Sequence, residues 1–169
     1  MKLIDCSTEA TPDTFCKVDD EDFDSLNKWK WKANTKKAKK AIVHRISHPP
    51  RKLRREGKRS KTIYIHREIM KAPKGLVVDH IDGDTLNNQK SNLRICTQGE
   101  NGRNRKKQTG KSSSAFKGVS KKNKSFCASI RCGKKNYYIG TFRDEIDAAR
   151  AYNIYAVILH KEFAKLNEV

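Results

Sequence analysis

The sequence predicts an α+β protein made of small antiparallel sheets and a few helices. Three observations lead there. Short runs rich in β-branched and aromatic residues, among them "AIVHRIS", "KTIYIH" and "KNYYIGTF", are bounded by Gly, Pro, Asn and Lys-rich turns, as hairpin strands are. One segment, "RDEIDAARAYNIYAVILH", places Ala148, Ala149, Tyr152, Ala156 and Leu159 at helical spacing instead. At 169 residues with 36% hydrophobic and 34% charged, the chain can make one ordinary domain or two small ones, each with a modest core.

Taken in order, "VDDEDFDSLNKWKW" opens with acids in a first helical turn, where the helix dipole favours them. The texture then turns basic, with fifteen Lys or Arg between Lys28 and Lys61 against one acid, Glu56. Within that span "HPPRKLRREGKRSK" has two prolines, a glycine and almost nothing to bury. It reads as an exposed loop joining "AIVHRIS" to "KTIYIH", with Arg51, Arg54 and Arg55 available to a phosphate backbone. "HREIMKAP" is a short helix stopped by Pro73. "GLVVDHID" and "NLRICT" are strands either side of an amide-rich turn, and "TQGENGRNRKK" is a helix with Thr97 as its cap, weakened by Gly99 and Gly102. "RKKQTGKSSS", Arg105 to Ser114, is polar and makes a linker. The expected division is therefore 1–104, a linker at 105–114, and 115–169.

After the linker come three strand-like pieces, "FKGVS", "SFCASIRC" and "KNYYIGTF", and then the long helix. Alternation puts Phe126, Ala128 and Ile130 on a face that takes the helix. Ser125, Cys127, Ser129 and Arg131 fall on the other, a small polar face ending in arginine.

Charge bounds the partner. The formal balance is +19 with a pI near 9.9, which points to a polyanion, with nucleic acid ahead of a membrane surface. No apolar run reaches 18 residues, so no transmembrane helix is expected, and "MKLIDCSTEATPDT" lacks the apolar stretch of a signal peptide. The five cysteines are odd in number and never spaced C-x-x-C. Free thiols in a reducing compartment, hence an intracellular protein, are the expectation. Cys127 and Cys132 lack the second ligand pair of a zinc knuckle.

Against this basic background, "VVDHIDGDTLNNQKSNLRICTQGENGRN" concentrates one histidine, three aspartates, one glutamate and seven amides. Hydrolysing a phosphodiester needs a base for water, a cation for the leaving oxygen and fixed placement of both. Asp79 and His80 are adjacent at a strand end and so point to opposite sides. His80 can act as general base while Asp79 faces a metal. Asn92 is placed to orient the His80 ring from across the hairpin, and Asn101, on the next helix, to complete the metal shell. One carboxylate and one amide oxygen suit Mg2+ or Mn2+. Asp82, Asp84, Asn87 and Asn88 read as turn residues.

These residues resemble the HNH motif of phage and intron-encoded homing endonucleases. The resemblance implies a ββα-metal core in which Asp79 is a metal ligand, His80 the base, Asn92 the residue that positions it, and Asn101 the second ligand. Asparagine stands where the namesake pattern has its last histidine, as in the asparagine-bearing branch. Arg105, one turn on, is a phosphate contact. His66, in "YIHREIM", sits where this family often has "HR" and is read as structural or phosphate-binding; His44, His48 and His160 carry no signal.

The C-terminal stretch resembles an AP2 DNA-binding domain through "KGV", "ASIR", "YYIGTF", "EIDAARAYN" and "FAKLN". That resemblance implies a three-stranded sheet laid in a major groove and backed by the helix. Lys117, Ser129, Arg131 and Tyr138 would face double-stranded DNA, and Lys122, Lys124, Lys134 and Lys135 would meet phosphates. The leading expectation is a metal-dependent HNH DNA endonuclease, a site-specific homing or nicking enzyme working as a monomer. The competing one is a catalytically silent AP2-type DNA-binding regulator, against which the four intact motif residues argue. RNA binding lacks the expected aromatic stacking pattern.

Overall fold

Ten strands and five helices form among residues 1–34, 41–107 and 113–169, the part of the chain that the computed structural model describes. The chain divides into two units, Met1–Thr97 and Gln98–Val169. Every sheet is antiparallel, so the α+β expectation holds. Part of the basic run, 35–40, and the middle of the expected linker, 108–112, lie outside the described residues.

In the first unit β1 (Lys2–Asp5) pairs with β2 (Phe15–Val18). This hairpin buries Ile4, Cys6, Cys16 and Val18 and exposes the alternate strand residues Leu3, Asp5, Phe15 and Lys17. Helix α1 (Asp20–Leu26) starts on three acids, as its dipole favours, and buries only Leu26. A three-stranded sheet follows, β3 (Lys32–Asn34), β4 (Ile42–Ser47) and β5 (Lys61–Tyr64), in that order. Trp31, 1% exposed, anchors the core by donating its indole N–H to the Leu26 carbonyl at 2.9 Å.

Between β4 and β5 the expected loop contains a one-turn helix, α2 (Arg51–Arg55), which corrects the reading. Pro50 precedes its first residue and Gly57, at φ +84°, follows its end. Proline before and glycine after is ordinary helix punctuation. Arg51, Arg54 and Arg55 are exposed on it, as expected of the loop.

Helix α3 (Ile65–Met70) ends at Lys71, which takes the left-handed conformation at φ +47°. Strands β6 (Val77–His80) and β7 (Leu93–Cys96) then form a hairpin around the polar loop. Arg67 holds the approach to β6: its guanidinium donates to the carbonyls of Leu76 at 2.7 Å, Ala72 at 2.9 Å and Pro73 at 3.0 Å.

The second unit begins with α4 (Gln98–Arg103). Its sheet has β9 (Ser125–Cys132) between β8 (Val119–Lys122) and β10 (Lys135–Phe142), and α5 (Glu145–His160) packs on one face. Asp144 caps α5, accepting from the amides of Ile146 at 2.7 Å and Asp147 at 3.3 Å. The buried face joins Val119, Ala128 and Ile130 to Ala148, Ala149, Tyr152 and Ala156. The register sets Cys127 beside Thr141, Ser129 beside Tyr138 and Arg131 beside Asn136 on the opposite, open face.

Candidate functional site

The amide-rich loop between β6 and β7 is bound to the first unit on two sides. The Lys17 amide on β2 donates to the Leu86 carbonyl and the Asn88 amide to the Lys17 carbonyl, both at 2.8 Å. Asp19, just ahead of α1, accepts from the Gln89 side chain at 3.1 Å and the Lys90 amide at 2.8 Å. Lys90 in turn reaches Glu21 at 2.6 Å and Asp22 at 3.1 Å. The acidic start of the chain thus holds the segment that carries the polar motif.

Asp79 and His80, at the end of β6, are 6% and 7% exposed. Asp79 stands opposite Arg94 in the register, and the Arg94 Nε and Nη2 donate to its Oδ2 at 3.0 and 2.7 Å. Such an ion pair fixes the carboxylate's orientation, and a neutral residue at 79 would remove that pairing from the half-buried guanidinium. Arg94 carries no motif signal of its own in the sequence; only the cross-strand register reveals it.

His80 is held by Asn88, which is fully buried. The Asn88 side-chain N–H group faces the Thr85 carbonyl at 3.3 Å, and its oxygen lies 3.2 Å from His80 Nε2. An amide oxygen only accepts, so the ring carries its proton on Nε2 and its lone pair on Nδ1. Burial lowers the His80 pKa below the ordinary histidine value, against the opposing pull of Asn88 and of the carboxylates of Asp82, Asp79 and Asp84. The imidazole is neutral at neutral pH, the state in which it can accept a proton.

Two expectations are corrected here. Asn88, read as a turn residue, is the amide on the ring. Asn92, read as orienting the ring, spends its side chain on the loop: its Oδ1 accepts from the Asp82 amide at 3.0 Å, and its Nδ2 donates to Asp82 Oδ1 at 2.9 Å and the Asn87 carbonyl at 2.8 Å. Asp82 gathers further donors, the Asp84 amide at 2.7 Å and the Asn87 side chain at 2.9 Å. Burial is the largest single influence on its pKa and raises it, but the Asn87, Asp84 and Asn92 donors together with His80 outweigh it and leave the carboxyl below its ordinary value. Asn92 therefore shapes the turn through which Asn88 meets His80.

His66, on α3, packs against the edge of His80 with ring centroids 5.4 Å apart, and stacks on Tyr64 at 5.7 Å. Burial first, then His80 and Arg67, push its pKa down to about 4. A base whose folded pKa is depressed contributes stability in full above its unfolded value, and loses it as pH falls from there toward the folded one. Replacing His66 with Gln should therefore flatten the acid side of the stability profile. Between about pH 7 and pH 5 the parent should lose on the order of 2 kcal/mol more than the variant, read from urea midpoints. Equal losses would show that His66 is not held neutral.

Asn101 and Arg105 belong to the second unit, Asn101 on α4 and Arg105 exposed beyond its end. Lys122, Lys124, Lys134, Lys135, Arg131 and Tyr138 are exposed and Ser129 is half-buried; Tyr138, 68% exposed, donates or accepts at Thr141 Oγ1 over 2.6 Å. Lys117 departs from its expected part. Its ammonium donates to the carbonyls of Arg103 at 2.5 Å and Arg105 at 2.7 Å, so it is used within the unit and not presented outward.

Residues 71–103 match the model of a family described as HNH endonuclease, a span that takes in Asp79, His80, Asn88, Asn92, Arg94 and Asn101. The chain is also similar to an uncharacterized HNH endonuclease, L560, of Acanthamoeba polyphaga mimivirus, 36% identical over 99 residues. That alignment takes in 59% of this chain and 51% of the relative, so the chain spans about half the length of the curated relative it matches. No solved structure matches. Both likenesses support a nuclease.

Proposed function

We propose that the chain is a divalent-metal-dependent DNA endonuclease in which His80 is the general base. The observation that carries this is a buried, neutral imidazole with its tautomer fixed by Asn88, one residue from a buried carboxylate, inside the span that matches HNH endonucleases. Asp79 would hold the ion. Carboxylate and amide oxygens are the hard donors that Mg2+ or Mn2+ takes, with water and phosphate filling other positions. Among the described residues no three His, Cys, Asp or Glu side chains form a cage, and such ions do not require one. When bound, the ion stabilises charge on the phosphate and the leaving oxygen.

The chain's own residues supply the rest. The His80 lone pair, on Nδ1 in this tautomer, takes a proton from the attacking water. Arg94 keeps the Asp79 carboxylate oriented, Asn88 keeps the ring oriented, and Asn92 with Asp82 keeps Asn88 in place. Double-stranded DNA is the substrate. The open face of the second unit, with Ser129, Arg131 and Tyr138, is its reader in the manner of an AP2 domain, and Arg51, Arg54 and Arg55 on α2 grip phosphates. A single centre working as a monomer inside the cell cuts one strand per encounter, as a homing or nicking enzyme.

The test is incubation of the full chain with a plasmid library of genomic fragments and magnesium or manganese, followed by mapping of the new ends. Nicked circles should precede linear product, and EDTA should abolish both. DNA binding without any cleavage under either metal would replace this reading with the silent DNA-binding protein.

A further inference from the structure

The second unit contains a cavity of about 470 Å³ bordered by α4, the start of β8, β9 and the end of α5. Arg103, Lys117, Arg131, Asn136 and His160 line it, together with four glycines, and no carboxylate does. None of its three cations enters a salt bridge among the described residues. Positive charge gathered in a concave, partly desolvated space without a counter-ion creates a local field that draws in an anion. Burial first and Lys165 second push the Lys117 pKa down to about 8.

His160 supplies the independent observation. It is 4% exposed, and its Nε2–H donates to the Arg131 carbonyl at 2.9 Å. Its Nδ1 is buried with no hydrogen-bond partner among the described residues. A buried nitrogen left in that state is destabilising. The ring is kept below its ordinary pKa by burial, against the pull of the Arg131 carbonyl, with Arg103 and Lys117 adding to the downward shift. An oxyanion in the cavity would offset those two cations and raise the proton affinity of the ring beside it.

We propose that this cavity binds a phosphate group. Charges arriving from α4, from Lys117 in the turn before β8 and from β9 suit a tetrahedral, multiply charged oxyanion better than a planar carboxylate. At Gly102 and Gly133 nothing lies within 4 Å of where a Cβ would stand, so the wall is open at those two positions. The phosphate can come from a nucleic-acid strand or from free phosphate in solution; the chemistry at the cavity is the same. The inference does not depend on phosphodiester cleavage or on a metal.

The experiment is a titration of the full chain, labelled at histidine, with inorganic phosphate in EDTA, against sodium chloride at matched ionic strength. The His160 ring signals, identified by their loss in His160→Gln, should move with phosphate and not with chloride. Arg103→Ala combined with Arg131→Ala should weaken that binding about tenfold or more, the scale of two charge-assisted hydrogen bonds. Among the described residues neither side chain has an ion-pair partner whose loss would unfold the unit, and circular dichroism checks this. Competition by a short duplex would identify the strand as the source, and its absence would identify free phosphate. Ring signals that ignore phosphate, or that follow chloride equally, overturn the proposal.

Discussion

His80→Ala should abolish strand cleavage while leaving DNA affinity within a few-fold of the parent. A positioned general base contributes roughly two to four orders of magnitude to rate, and the lost imidazole has no neighbour that takes over its lone pair in the same place. His66 is the nearest ring, but it meets His80 edge-on from α3, a different position, and burial keeps it neutral by packing and not by a hydrogen-bonded tautomer such as Asn88 imposes. Alanine alone leaves an ambiguity, because it strands the Asn88 oxygen in the interior, at a cost of about 1–3 kcal/mol. His80→Gln resolves it. Glutamine can still donate to Asn88 from its side-chain amide, yet it has no proton affinity at neutral pH. Both variants should be inactive, and the glutamine variant should melt close to the parent. Cleavage by His80→Gln at the parental rate would remove His80 from the chemistry. Asn88→Ala makes a graded companion: the base remains but its tautomer is no longer imposed, so the rate should fall while the metal requirement stays.

These expectations also separate what was legible in the chain from what was not. The strands at β4 to β7 and the helix α5 follow from local patterns, β-branched runs and a 3.6-residue stripe, which survive without knowledge of tertiary partners. The α2 turn did not, because Leu53 is the single apolar residue in Arg51–Arg55 and periodicity had nothing to count. The β1–β2 hairpin is likewise silent in sequence. Its two strands bury alternate residues at Ile4, Cys6, Cys16 and Val18, but only their pairing shows that these belong to one face. At the site, residue types and order pointed to Asp79 and His80. Which of several asparagines touches the ring was not readable, since Asn88 and Asn92 differ only in how a turn folds back on β2. Arg94 and His160 needed register and packing for the same reason: their chemistry lies in their partners.

Gly118→Ala should destabilise the second unit more than any other single methyl addition at its glycines. Gly118 has φ +75°, and a Cβ built there falls 2.0 and 2.2 Å from Cδ2 and Cε2 of Tyr152 and 2.8 Å from the Ser129 carbonyl oxygen. Neither neighbour can step aside cheaply. Tyr152 is 2% exposed and packs with Ile130 and Ala156, and its burial pushes its phenol pKa up to about 12. The Ser129 strand is tied to the same residue, its amide donating to the Gly118 carbonyl at 2.9 Å. The left-handed conformation adds about 1–2 kcal/mol for a residue with a side chain, and forced overpacking adds roughly 1–3 kcal/mol. Gly133→Ala provides the comparison, since it too has positive φ, +61°, yet nothing lies within 4 Å of its Cβ. It should show the conformational part alone. Denaturant midpoints of the two variants then isolate the clash with Tyr152. Because α5 is packed through Tyr152 against the sheet, the loss should appear as an earlier, less cooperative transition of the second unit. Equal destabilisation by the two alanines would mean that Tyr152 does not close over Gly118, and that the start of β8 is seated some other way.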